Sequence, residues 1–309
     1  MAKENQLSRW GAIAKHIPLM NPGAKLFLVA KTSLTFRGEL DQEFPPDRDG
    51  DVRVVSTLSA AHALTQASRG DVVLVLPGHT ESLTAVLSLS TAGVRYIGIG
   101  SGNLTPAITI NGAINGVGLG ANVEFENFNF PAPETDGALS MIRCAGAGIK
   151  LKKIRGVGSL AAKNFIDCII VKGGSNDMEW EDIKFIGGNT AITSFIHFEG
   201  LISNFTAGYV TCFGSVATAG IYDDAGAITA NVNWHNFNIA VGGAAKPAIT
   251  LDAGGSAGGV VRNSFFAGTH TTLASNAAFG GDFRLSQVYV LEETGNLRQG
   301  ALIPAVDTD

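Results

Sequence analysis

A chain of 309 residues is long enough to bury a large core in one domain. Only 16% of it is charged, and a net charge of −5 with no basic stretch excludes the concentrated positive surface that duplex nucleic acid requires. The 39 glycines, the scarcity of charge and the many β-branched residues indicate a β-rich protein with many tight turns.

The first segment, "MAKENQLSRWGAIAKHIP", lacks the long apolar core of an export signal. No stretch approaches the ~20 apolar residues needed to span a bilayer. Synthesis in a cytosol, with no membrane partner, is therefore expected. Leu7, Trp10, Ile13 and Ile17 have the spacing of a short amphipathic helix. Apolar runs follow at Leu26 to Ala30, which holds Phe27, and at Leu34 to Phe36. "EFPPDRDGD" then breaks regular structure. Residues 1–50 read as an arm or attachment segment. Its Asp-x-Asp-Gly-Asp stretch at 47–51 has the look of a calcium loop, but it lacks the later bidentate Glu and is read as a turn.

Residues 51–70 form a capping region. Ser56 or Thr57 can cap a helix, Leu58, Ala61 and Leu64 make an apolar stripe, and Gly70 suits its end, so a helix is expected over 57–68. Arg69-Gly70-Asp71 spells a cell-adhesion triplet, but here Gly70 closes a helix and Asp71 opens a strand. In "DVVLVLPG", Val73 and Val75 face inward by alternation. Val72, Leu74 and Leu76 then face outward. Three apolar residues on an outer face need a cover: the arm, the helix or a sister subunit.

From residue 71 onward the chain repeats. "NVEFENFNF" (122–130), "DMEWEDIKF" (177–185) and "NVNWHNFNI" (231–239) align without gaps. Weaker copies are "GIKLKKIRG", "GLISNFTA", "VVRNSFFA" and "DFRLSQVYV". With Phe125, Leu151, Trp180, Ile202, Trp234, Val261 and Leu285 taken as equivalent, the separations are 26, 29, 22, 32, 27 and 24 residues. A period in the twenties built from short strands is a solenoid spacing. The leucine-asparagine frame of leucine-rich repeats is absent, which leaves a parallel β-helix.

Within a repeat, Val123 and Phe125 point inward, and so do Phe128 and Phe130. The phase slips at Glu126-Asn127, which marks a corner. Down the repeats that corner reads Asn127, Lys153, Asp182, Asn204, Asn236, Asn263 and Gln287, an amide ladder with Lys153 as the misfit. Glu124, Lys150 and Glu179 fall in one outward column and Glu126, Lys152 and Glu181 in the next, so opposite charges alternate between coils. Cys144, Cys168 and Cys212 have no metal-ligand spacing and read as buried thiols, the first two as a small inward stack.

"GDVVLVLPGHTESL", followed by "VRYIGIGSGNLTPAITI", resembles the opening coils of the right-handed parallel β-helix superfamily typified by pectin and pectate lyases. There a strand ending in Pro-Gly precedes a segment of the "ItIiGxGxG" kind, matched here by Tyr96-Ile97-Gly98-Ile99-Gly100. The resemblance covers residues 57 to about 291 and is specific for fold rather than function. It implies an all-β chain: a right-handed parallel β-helix solenoid over 71–291, with an N-terminal capping helix, an N-terminal arm and a C-terminal tail over 292–309.

Polysaccharide-cleaving members of that superfamily need acids clustered on one outer face. Here the outward acids alternate with lysines. Asp223-Asp224 reads as a turn, Glu292-Glu293 as a solvated cap past the last coil, and His79 and His235 as surface residues. The glycines of "GVGLGAN" and "GIGSGN" sit between strands and read as turn residues. No catalytic, cofactor-binding or metal-binding residue is assigned.

An arm, a short helix and a modest β-helix together resemble tailed-phage structural proteins, whose β-helices typically associate as trimers. That resemblance implies a structural virion protein at the capsid surface, a decoration (cement) protein that binds and stabilises the head shell as a homotrimer. Its partner would be the major capsid protein or another virion protein. Leu7, Trp10, Ile13, Phe27, Phe36, Val72, Leu74 and Leu76 are the expected assembly contacts. The alternative is a polysaccharide-binding or -cleaving β-helix: a short tailspike, a lyase or a glycoside hydrolase. It would show three or more carboxylates within ~10 Å on one outer face.

Overall fold

The structure, a computed structural model, describes residues 23–47, 50–158, 163–187, 191–224, 228–251, 258–269, 277–279, 282–294 and 297–303. They form a parallel β-solenoid with two short α-helices, Arg37–Glu43 and Leu58–Leu64. One large sheet runs through Val72–Val75, Arg95–Gly98, Glu124–Phe130, Lys150–Val157, Glu179–Ile186, Thr206–Ser215, Gly258–Ala267 and Asp282–Thr294. A second sheet of eight described strands runs from Leu87–Leu89 to Ala277–Phe279. Each coil contributes a strand to both, so every strand pairs with its counterpart about one repeat away. Backbone donors and acceptors are thereby satisfied along the axis.

Apolar alternation fills the space between the sheets. Phe125, Phe128 and Phe130 point inward, and Phe125 stacks on Phe128 with ring centroids 4.1 Å apart. Further along, Trp180 meets Phe205 edge-on at 4.7 Å, and Trp234 stacks on Phe237 at 5.1 Å. Burying each such ring contributes roughly 1.5–3 kcal/mol. This one continuous core, rather than any local propensity, holds short strands that would be unstable alone.

Five successive coils of the large sheet, from Asn122 to Asn236, have two left-handed corners, one just before the strand and one five residues on. The second is the one the phase slip marks: φ is 64° at Asn127, 52° at Lys153, 57° at Asp182, 55° at Asn236, 49° at Asn263 and 54° at Gln287. In the coil between Asp182 and Asn236 the residue at this corner is Tyr209, with φ 56°. Asn204 belongs instead to the first corner, with Asn122, Gly148, Asp177 and Asn231. The coil equivalent to Trp180 is therefore centred on Ala207, not Ile202, and the spacings of 22 and 32 residues become 27 and 27.

The ends differ from the middle. Leu26–Val29, inside the stretch assigned to the arm, is a strand of the large sheet. It lies between Val54–Val55 and Val72–Val75, parallel to both. The helix Leu58–Leu64 is shorter than expected. Thr57 Oγ1 accepts from the Ala60 amide at 3.1 Å, and Leu58 and Ala61 enter the main core. It stops because Thr65 is extended and its hydroxyl donates back to the His62 carbonyl, while the Gln66 amide is captured by Asp71. Gly70 lies beyond, in a turn. At the far end Leu297–Ile303 pairs antiparallel with Asp282–Thr294, which places Glu292 opposite Gln299 and Glu293 opposite Arg298. These acids thus continue a strand rather than follow the last coil. Reversing strand direction at the terminal edge ends the parallel stack.

Candidate functional site

The outer face of the large sheet carries the most charge chemistry. Glu124, Lys150 and Glu179 share one column and Glu126, Lys152 and Glu181 the next, in the expected register. Lys150 Nζ meets Glu179 Oε2 at 2.6 Å along its column. Lys152 instead reaches diagonally to Glu124, at 3.4 Å, where Arg95 also binds at 2.9 Å. Arg155 pairs with Asp182. Lys153, the misfit of the corner, keeps the left-handed backbone and turns its ammonium to Glu126 at 2.8 Å.

These pairs set the protonation chemistry. Burial alone would raise the Glu124 carboxyl, but Arg95 and Lys152 hold it below its usual range. Lys150 does the same to Glu179. A general acid at neutral pH needs the opposite shift. Glu124 and Glu179 are ion-pair partners that bind coil to coil.

The amide ladder lies at the other corner. Asn127 donates to the Gly98 and Gly100 carbonyls, at 2.7 and 3.1 Å. Asn231, Asn204 and Asp177 are the residues that link side chain to side chain.

Beside Asn127 opens a cleft of about 490 Å³. Gly98, Gly100 and Ser101 form one wall, and Asn129, Lys153 and Arg155 line the other. Ile97, Ile99 and Glu126 complete a lining of mixed polar and apolar character, in which Lys153 is paired with Glu126 and Arg155 with Asp182.

The expected assembly residues separate into three groups. Val72, Leu74 and Leu76 do face outward, and all three are buried. They share that face with Leu28 and Val54 of the neighbouring strands and with Ala30, and their cover is the chain's own N-terminal segment through Leu40, with Leu34, Phe36 and Phe44 packed against the cluster. Phe27 points the other way, into the main core. A partner contact through Phe27, Val72, Leu74 or Leu76 would require displacing this segment. Leu7, Trp10 and Ile13 lie outside the described residues.

The remaining polar candidates resolve individually. Asp71 is fully buried and accepts from the Lys25 and Gln66 amides at 2.8 and 2.9 Å, with Arg69 paired at 2.6 Å. The adhesion triplet is thus an internal clasp. Asp47 and Asp51 both hold Lys25, as a turn rather than a cation site. His79 is buried, not superficial; its carbonyl accepts from the Ala107 amide at 3.0 Å, the adjacent Gly78 amide donates to the Leu104 carbonyl at 2.9 Å, and its Nε2 lies 3.3 Å from Glu81. His235 faces outward level with Arg262, half-buried, and meets the Tyr209 ring edge-on. The cysteines are free and buried. Cys144 is level with Val171, and Cys168 falls between residues paired with Ser140 and Ile142, so the two do not stack on each other. Burial pushes all three thiols up, Cys212 to about 12.

One cluster carried no signal in the repeat. On the second sheet His197 lies between two carboxylates, with Nδ1 3.2 Å from Asp167 and Nε2 3.2 Å from Asp224. Ser194 donates to the other Asp167 oxygen at 2.6 Å. The hydroxyl is therefore bonded to the acid and not to the imidazole, which is not the order of a nucleophilic triad. Asp223 is the last residue of its strand and Asp224, exposed, follows it; residues 225–227, where the expected turn would continue, lie outside the described residues. Only three-dimensional register joins residues 167, 194, 197 and 224, so no linear motif marks them.

No group of acids, histidines and cysteines among the described residues is placed to hold a metal ion. No described helix is long and apolar enough to cross a membrane. No protein-family model and no curated protein matches the chain. A similar solved structure is ORF18 of Geobacillus virus E2, at 12% identity and a TM-score of 0.34. The alignment covers 85% of this chain and 64% of that one, so the chain spans less than two thirds of that protein's length.

Proposed function

We propose that the chain is a structural virion component: a capsid decoration (cement) protein of a tailed bacteriophage that stabilises the head shell as an oligomer, with a trimer the expected form. The observation that supports this reading is the self-contained electrostatics of the outer face. Glu124, Glu126, Glu179 and Asp182 each spend their charge on a cation of a neighbouring coil. Such pairing stiffens a stack and leaves little field for bond cleavage. The partner is the major capsid protein or another virion protein, and Leu7, Trp10 and Ile13 supply the apolar anchor. Quantifying the protein on purified intact particles tests this. Stoichiometric occupancy is expected, and absence from particles would overturn the reading.

The cleft beside Asn127 favours a second reading, a polysaccharide-binding β-helix of the short-tailspike kind. Binding or cleavage on a panel of host polysaccharides, lost in Arg155→Ala, would establish it in place of the first.

A further inference from the structure

One outward column of the large sheet differs from all the charged ones. Strand register places Val157 level with Ile186, then Phe213, Ala240, Ala267 and Leu291. All six are apolar, on six successive coils. Val157, Ile186 and Phe213 are 48%, 45% and 36% exposed. One corner further round the coil, Leu139 and Ile166 add a shorter exposed apolar column. At the N-terminal coils the equivalent problem is solved within the chain, where Leu40 packs with the outward residues Leu28 and Leu74. Among the described residues no such cover lies over Ile186 and Phe213.

From this we infer that the Val157–Leu291 stripe is a self-association face, and that its occupant is a second copy of this chain lying side by side with its axis parallel. The inference deepens the oligomer part of the proposed function. At ~4.8 Å per coil the stripe runs about 24 Å along the axis. As a single column about 7 Å wide it covers roughly 170 Å². A stable pair buries ~800 Å² on each partner, so the stripe supplies about a fifth, as the apolar centre of a wider contact. The adjoining column of Arg155, Lys184, Thr211 and Asn238 adds a polar rim, and the Leu139–Ile166 column widens the contact round the corner.

Spacing selects the occupant. The stripe offers one side chain per coil, so a partner meeting all six must repeat at the same rise. A second copy of the solenoid does so at every step. In a parallel arrangement about an axis along the stack, Ile186 lies level with Ile186 and Phe213 with Phe213. An antiparallel pair would instead set Ile186 against the Ala240–Ala267 end.

The test is sedimentation of the purified full-length chain with no capsid present, so it can fail while capsid binding stands, and the reverse. The wild type is expected as an oligomer. Ile186→Glu combined with Phe213→Glu is expected to sediment as the single 32.1-kDa chain with unchanged circular dichroism. Ile186→Ser, a milder change at an exposed site, serves if the double variant misfolds. Ile186→Cys is expected to cross-link copies on mild oxidation. A monomeric wild type would overturn the inference and point to another cover for the stripe. So would an oligomer indifferent to these changes, or one that Ile186→Cys cannot cross-link.

Discussion

Asn231 donates its side-chain amide to the Oδ1 of Asn204, one coil away, at 3.0 Å. Asn204 donates in turn to Asp177 at 2.9 Å. All three hold left-handed backbone, with φ between 54° and 56°. The ladder therefore needs a residue that tolerates that conformation and also bonds along the axis, which describes Asn. Asn204→Ala removes both links and places a Cβ-bearing residue without local hydrogen bonding at φ 54°. It is expected to cost about 1–2 kcal/mol. Asn204→Gly loses the same links but relaxes the backbone, and should cost less. Urea unfolding of the two variants measures the difference, and equal midpoints would remove the conformational share.

These same corners explain what the sequence could and could not reveal. The charge columns Glu124–Lys150–Glu179 and Glu126–Lys152–Glu181 were legible because alternation and repeat period place them without ambiguity. The fourth repeat slid by five residues. The coils from Asn122 to Asn236 each have two left-handed corners five residues apart, both favouring Asn, and at the second of them this coil carries Tyr209. Sequence pattern alone settles on Asn204, the wrong corner. The burial of His79 and the His197 cluster were illegible for another reason: both depend on which loop or coil arrives next to them, a long-range fact with no local signature.

Close approach of coils makes a second expectation. A Cβ added to Gly98 would overlap the carbonyl oxygen of Asn127, in the backbone of the next coil. Backbone held by a parallel ladder cannot move aside as a side chain can. Gly98→Ala is expected to destabilise by roughly 2–3 kcal/mol. Gly118→Ala, whose Cβ would find only ordinary contacts, is the control. Similar urea midpoints for the two would contradict the geometry.

Acidity should reveal His197. Burial lowers its pKa, but the hydrogen bonds and charges of Asp167 and Asp224 outweigh that and leave it raised. A folded pKa above the unfolded value of ~6.5 means that the bridge is fully stabilising below that pH and is lost as pH rises through the folded value. Between about pH 6 and pH 8 the wild type should lose stability relative to His197→Gln. Thermal midpoints of both proteins across that range would show it, and parallel curves would argue against a charged bridge.

The N-terminus gives the last expectation. Removing residues 1–50 takes away Leu26–Val29, a strand paired on both sides, and uncovers Val72, Leu74 and Leu76. That deletion should misfold or aggregate, because it exposes an apolar face together with an unpaired parallel edge. Deleting only residues 1–22 spares the strand and its cover. The shorter deletion is expected to keep the wild-type circular dichroism and melting temperature while losing capsid binding through Leu7, Trp10 and Ile13. Capsid co-sedimentation separates the two roles of the segment. Full binding by the 1–22 deletion would move the anchor onto the solenoid itself, and a well-folded 1–50 deletion would show that the inserted strand is dispensable.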